Sequence, residues 1–374
     1  MTMRASAAGY DQLLAEFEAG KKAALARAVS IVENHRPGFE RLLATFHARL
    51  GRARRIGITG PPGAGKSTLT TALVTAYRAA GQSVGVIAVD PTSPFTGGAL
   101  LGDRIRMEAV ALDPGVFIRS MATRGSLGGL AAATREVADV LDAFGIEQIL
   151  IETVGVGQSE LDIARTADSS LVVLVPESGD SIQTLKAGLM EIADIFVVNK
   201  ADRPGADRLR HELELMLGLR GGSTLKNVPA HHGVDLGRAL TRDERLAMNP
   251  ARAAREAAAG VGSDNSPWTP PVLRTVASRS EGVEDVVTAI DRHFNYLERS
   301  GVLRERRRAR LRGRVVEVVE GQVRRRLWTD DATNQWLDAR LAELENGTTN
   351  PFAVANELLE RSANILTQTG SAGR

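Results

Sequence analysis

Ile56-Gly57-Ile58-Thr59-Gly60-Pro61-Pro62-Gly63-Ala64-Gly65-Lys66-Ser67-Thr68-Leu69-Thr70-Thr71-Ala72-Leu73 decides the fold. Gly60 to Ser67 fits G-x-x-x-x-G-K-[ST], with a short β-branched run before it and a helical run after it. A phosphate-binding loop requires that strand, loop and helix context. Its glycines let backbone N–H groups turn inward, Lys66 reaches the β- and γ-phosphate oxygens, and the Ser67 hydroxyl is a Mg²⁺ ligand at a helix N-terminus that favours anions. Pro61, Pro62, Ala64 and Thr68 complete the candidate nucleotide contacts of this stretch.

Outward from the loop, apolar β-branched runs at 84–89, 149–151, 171–175, 195–198 and 272–273 alternate with helical stretches. Continuous apolar strands between helices predict an α/β fold, a mainly parallel sheet covered on both faces, of the P-loop NTPase class. Residues 10–50 carry apolar positions at helical spacing, such as Ala24, Ala28, Ile31 and Val32, with Pro37-Gly38 dividing them into two helices. The expected organisation is an N-terminal helical region over 1–50, a nucleotide-binding domain over 51–298 and a C-terminal helical arm over 299–374. The Gly-, Ala-, Asn- and Pro-rich stretch at about 219–268 is read as an insertion in the middle domain.

Asn199-Lys200-Ala201-Asp202 follows the run at 195–198 and matches the N-K-x-D signature of guanine-specific P-loop proteins. A carboxylate at Asp202 accepts from guanine N1–H and the exocyclic amine together, a donor pair that adenine lacks at that edge. Asn199 ties this loop to the phosphate loop, and the Lys200 stem covers the base. The expected ligands are therefore GTP and GDP. Asp90 and Glu152 end two of the strands, where carboxylates of an open α/β sheet face the ligand, so both are candidates for the Mg²⁺ site.

Three further stretches carry a specific resemblance: 93–107 (Ser93-Pro94-Phe95-Thr96-Gly97-Gly98 through Asp103-Arg104-Ile105-Arg106-Met107), 124–130 and 152–160. They are similar to the MeaB/ArgK family, GTPase chaperones of adenosylcobalamin-dependent acyl-CoA mutases such as methylmalonyl-CoA mutase. The resemblance covers about 23–327 outside the insertion. It implies a G domain of the SIMIBI type and a homodimer formed through the C-terminal arm. It also implies that Asp90 and Asp103 lie in a first switch and Glu152 in a second, so that Lys66, Asp90, Asp103 and Glu152 serve the hydrolytic chemistry and Ser67, Asp90, Asp103 and Glu152 the metal. Residues 176–186 resemble the family's third switch. Val276-Ala277-Ser278 lies where the family has a Ser-Ala-Leu loop whose backbone touches guanine, with valine here in place of the serine. Gly155 is followed by Val156 instead of the water-positioning glutamine of signalling GTPases, which predicts slow intrinsic hydrolysis until a partner orders the switches.

Composition narrows the alternatives. The chain has 374 residues, 43% hydrophobic and 25% charged, enough for a substantial core. Its net charge of +2 does not mark a dedicated nucleic-acid binder, and the absence of cysteine excludes disulfides and thiolate chemistry. The opening residues lack the continuous apolar stretch of a signal peptide, and no apolar run reaches the roughly 18 residues of a membrane span. A cytoplasmic protein without membrane contact is expected. The stretch 304–326 holds ten arginines against three glutamates, yet Leu311, Val315, Val319, Val323 and Leu327 recur every four residues. That stripe favours packing against the core or a second subunit over a phosphate backbone, with Trp328 and Trp336 as anchors. A nickel-type metallochaperone would need clustered soft or imidazole ligands, and His231-His232 is the sole adjacent pair. A transport-linked kinase would need a base at an acceptor hydroxyl, for which no motif is present.

Overall fold

The structure, a computed structural model, describes residues 2–91, 107–123, 129–153, 159–176, 189–221 and 267–361. Seven strands form one parallel sheet: β1 (Arg54–Thr59), β2 (Val84–Pro91), β3 (Val116–Thr123), β4 (Gln148–Thr153), β5 (Ser169–Leu174), β6 (Ile195–Asn199) and β7 (Val272–Thr275). Their order is β3-β2-β4-β1-β5-β6-β7, and every pairing is parallel. β1 lies centrally between β4 and β5, so its C-terminal end opens at the position where ligands of open α/β sheets bind.

The helices of eight or more residues lying within the first compact unit, residues 1–303, are α1 (Thr2–Glu18), α2 (Lys22–Glu33), α3 (Phe39–Phe46), α4 (Lys66–Ala79), α5 (Gly129–Phe144), α6 (Ser159–Thr166), α7 (Ala206–Gly221) and α8 (Val283–Arg299). Strand alternation divides the core between the two faces. Leu171, Val173, Ile195 and Val197 meet Leu69 and Leu73 of α4 and Ile290 and Phe294 of α8. Their neighbours Val172, Leu174, Phe196 and Val198 face Leu209 and Leu213 of α7, while Ile149 and Ile151 of β4 face α1, α2, α3 and α5. Each such side chain, fully buried, contributes roughly 1.5–3 kcal/mol.

The N-terminal region holds three helices where the sequence reading expected two. The extra break follows α1, where the Gly20 and Lys21 amides turn back onto the carbonyls of Phe17 and Glu16, a C-terminal cap that closes the helix before Ala24, Leu25, Ala28, Val29 and Val32 begin a new buried face. β3 was not among the expected strands. It is an edge strand with mixed polar and apolar positions, and its Arg119 pairs with Glu33 of α2.

β1 is anchored electrostatically at its start. Asp142 accepts the amides of Gly51, Arg52 and Ala53 at 2.8–3.1 Å and also the Arg55 guanidinium at 3.2 Å. Burial acts to release the Arg55 proton, but Asp139, Asp142 and Asp168 outweigh it and hold the guanidinium charged beyond its usual range. The strand feeding the phosphate loop is thereby fixed in register.

The second unit, from Arg304, contains most of α9 (Val302–Trp328) together with α10 (Asp331–Glu345) and α11 (Pro351–Arg361). The Asp330 side chain caps α10 by accepting from the Thr333 amide at 2.8 Å. Leu327, Thr333, Val354 and Leu358 are buried, and the guanidiniums of Arg340 and Arg361 both lie over the Trp336 ring, 5.3 and 5.4 Å from its centroid. Leu311, Val315 and Val319 are exposed along α9.

Candidate functional site

The site is built at the C-terminal ends of β1, β4, β6 and β7. The loop between β1 and α4 turns through left-handed glycines, and two of them have no space for a side chain. A Cβ at Gly60, whose φ is +139°, would stand 2.0 Å from the Val173 carbonyl oxygen, and one at Gly65, φ +82°, would stand 2.4 Å from Asn199 Nδ2. Lys66 is the first residue of α4 and is buried. Its ammonium donates to the carbonyls of Gly60 at 2.8 Å and Pro61 at 3.0 Å, which fixes the charge inside the loop.

Ser67 follows it at the helix N-terminus, and its hydroxyl donates to Glu152 Oε1 at 2.6 Å. Parallel pairing of β1 with β4 sets Ile58 opposite Glu152 and so brings the carboxylate beside the loop. Thr70, one turn further along α4 and fully buried, lies 3.0 Å from Glu152 Oε2 and 2.9 Å from the Lys66 carbonyl. Two hydroxyls thus offset the desolvation of a carboxylate that is itself buried. The donors gathered here are all oxygens, which fits a hard cation such as Mg²⁺. Asp90 is the penultimate residue of β2, but its side chain lies outside the described residues, as do Asp103 and residues 154–158 and 177–188.

The Asn199-Lys200-Ala201-Asp202 segment follows β6. Asn199 is buried and joins three loops: its amide donates to the Ala64 carbonyl at 2.8 Å, and its carbonyl accepts the Thr275 hydroxyl and the Ala277 amide, each at 3.1 Å. Lys200 adopts a left-handed backbone, φ 53°, and its ammonium donates to the Gly63 carbonyl at 2.8 Å. Asp202 stands half-exposed beyond it, with Arg279 Nη2 3.5 Å from its carboxylate. In the 276–278 segment the amides of Val276 and Ala277 are engaged by the Glu281 carbonyl and by Asn199, so this turn holds Asn199 in place.

The structure therefore brings Gly60, Gly63, Ala64, Gly65, Lys66, Ser67, Glu152, Asn199, Lys200 and Ala277 into one connected network. The sequence reading did not single out Thr70, Thr275 or Arg279. For Thr70 a signal existed, because a residue four after Lys66 shares its helix face. For the other two the partners lie 76 or more residues away along the chain. Asn199→Ala is expected to remove about 2 kcal/mol of stability, since it strands three buried groups on the two loops it ties to its own. It should also weaken nucleotide binding about tenfold, checked by thermal melting and by titration with fluorescent GDP; unchanged values would show that the three loops hold together without it.

The fold and this loop define a P-loop nucleotide-binding protein. Residues 25–332 match the family described as methylmalonyl Co-A mutase-associated GTPase MeaB. The chain belongs to that family and is a GTPase, a protein that binds guanine nucleotides. A protein of Pyrococcus abyssi named as a GTPase is 47% identical over 311 residues, 83% of this chain and 84% of its own. The mouse methylmalonic aciduria type A homolog, named as mitochondrial, is 37% identical over 206 residues, 51% of this chain and 50% of its own. A solved structure described as an LAO/AO transport system kinase is 26% identical, with a TM-score of 0.62 over 94% of this chain and 97% of that one. Among the described residues no helix is long and apolar enough to cross a membrane.

Proposed function

We propose that this GTPase assists an adenosylcobalamin-dependent acyl-CoA mutase of the methylmalonyl-CoA type, in cofactor loading, protection or reactivation. The observation that carries this reading is the match to a mutase-associated family over 25–332, and the mouse relative's name supports it. Lys66 and the loop amides hold the phosphates, Asp202 reads guanine, and Asn199 couples the two loops. Ser67 and Glu152, with Asp90 and Asp103, would hold Mg²⁺, whose contribution when bound is to neutralise phosphate charge. The arm over 299–374 makes a homodimer; the exposed stripe of Leu311, Val315 and Val319 supports this.

Signalling between site and partner requires the nucleotide to bias the segments around 90–103, 152–158 and 176–186. Glu152 is well placed for that, because its carboxylate already bonds the first two turns of α4. Intrinsic hydrolysis is slow because no glutamine follows Gly155. Steady-state GTP hydrolysis is therefore expected to rise more than about tenfold when the cognate mutase is added, within the range that partners supply to GTPases. The assay uses the full chain, alone and with each adenosylcobalamin-dependent mutase of the same genome. Stimulation by none of them, with GTP binding intact, would remove the mutase reading and leave the GTPase.

A further inference from the structure

The turn between β7 and α8 places a guanidinium beside the carboxylate assigned to the base. Residues 277–279 form a 3-10 turn in which the Arg279 amide donates to the Val276 carbonyl at 2.8 Å. Val276 and Glu281 then close the turn with a reciprocal pair of backbone bonds, 3.1 and 3.3 Å. The same turn is bound to the Asn199 loop from two sides: Thr275 and Ala277 donate to the Asn199 side chain, and the Ala201 amide donates to the Thr275 carbonyl at 3.0 Å. Arg279 and Asp202 therefore sit on two segments locked to each other. Arg279 Nη2 lies 3.5 Å from Asp202 Oδ2, while its Nε lies 3.2 Å from Glu281 Oε1.

All three side chains are about half exposed. Ion pairs so placed add little to folding stability, because water screens them and ordering the side chains costs entropy. What the arrangement does provide is orientation. Glu281 holds the guanidinium from one side, and the guanidinium holds one oxygen of Asp202 at a distance that leaves the carboxylate able to accept from a ligand.

We propose that Arg279 is a positioning residue that sets guanine specificity: it orients Asp202 toward the N1–H and exocyclic amine of the base. The proposal rests on Asp202 as the base reader, so its test separates the two. Affinities for GDP, IDP and XDP are measured by competition with fluorescent GDP, IDP lacking the exocyclic amine. Arg279→Ala is expected to weaken GDP binding about tenfold, the scale of coupling between contacting charged residues, and to shrink the GDP-over-IDP preference at least threefold. Arg279→Lys, which keeps the charge but loses the planar fork, recovers part of the affinity. In an Asp202→Asn background, Arg279→Ala changes GDP affinity less than twofold, because the residue acts through the carboxylate. Unchanged or tighter GDP binding by Arg279→Ala, or an equal loss in both backgrounds, overturns the proposal. If Asp202→Asn alone keeps the wild-type preference for GDP over XDP, the base assignment itself fails, and the proposal with it.

Discussion

Lys66→Ala is expected to lower GTP and GDP affinity by about thirtyfold to a thousandfold or more while leaving the fold in place. Lys66 opens α4 with its side chain buried and its ammonium bonded to the Gly60 and Pro61 carbonyls, so the positive charge is delivered to the inside of the loop. Removing one partner of a desolvated charge contact costs roughly 2–5 kcal/mol, and each 1.4 kcal/mol is tenfold in affinity. The cost to folding is far smaller. Two carbonyls lose a donor, but a buried ammonium is removed at the same time, and none of the helix contacts of Leu69 and Leu73 change. The two effects separate in one thermal-shift experiment. The variant should melt within a few degrees of the wild type, and saturating GTP should raise the melting temperature of the wild type only. At a hundred times Kd a ligand adds about 2.7 kcal/mol of apparent stability, an effect that vanishes when the affinity does. An unchanged affinity in this variant would refute the phosphate-site assignment.

The phosphate loop and the N-K-x-D segment were legible in the sequence because each is contiguous, and because strand, glycine turn and helix follow one another in the order the chemistry needs. The alternation of apolar runs likewise announced six of the seven strands. β3 escaped because an edge strand pairs on one side only and tolerates Arg119 and Ser120 among its apolar residues, so it shows no continuous run. The third N-terminal helix escaped because its boundary is a backbone cap at Phe17 to Lys21, which leaves no Pro-Gly mark. Within the site, the sequence located Glu152 at a strand end but said nothing of what holds it. Its bond to Thr70 spans 82 residues and depends on β4 lying next to β1, a neighbourhood set by sheet order. Asn199 is the clearest case of partial legibility. The motif assigned it to tying loops together, and the structure adds that Thr275 and Ala277, more than 70 residues away, are part of the knot. Local chemistry can be read along the chain; contacts that tertiary packing creates cannot.

Asp202→Asn is expected to reverse nucleotide preference, lowering GTP affinity about a hundredfold and making xanthosine triphosphate the better ligand. A carboxylate offers two acceptors to the two donors on the guanine edge. An amide offers one acceptor and one donor, and its NH₂ then faces a guanine donor with no partner. Hydrogen bonds to a charged group are worth about 1.5–3 kcal/mol each; because Asp202 is half-exposed, the lower end applies to the bond that is lost, and the guanine donor left unpaired against the NH₂ adds a penalty of about the same size, which together give the hundredfold figure. Xanthine carries a carbonyl where guanine carries the amine, so the same NH₂ that repels guanine donates to it. The specificity change thus comes from a lost attraction and a new repulsion together. The surroundings favour a clean result. Asn199 and Lys200 hold the loop through the Ala64 and Gly63 carbonyls without using Asp202, so the backbone that presents position 202 survives the substitution. Competition titrations of GTP, XTP and ATP against fluorescent GDP, on wild type and variant, read the effect directly. A variant that still preferred GTP over XTP would place guanine recognition elsewhere in the site.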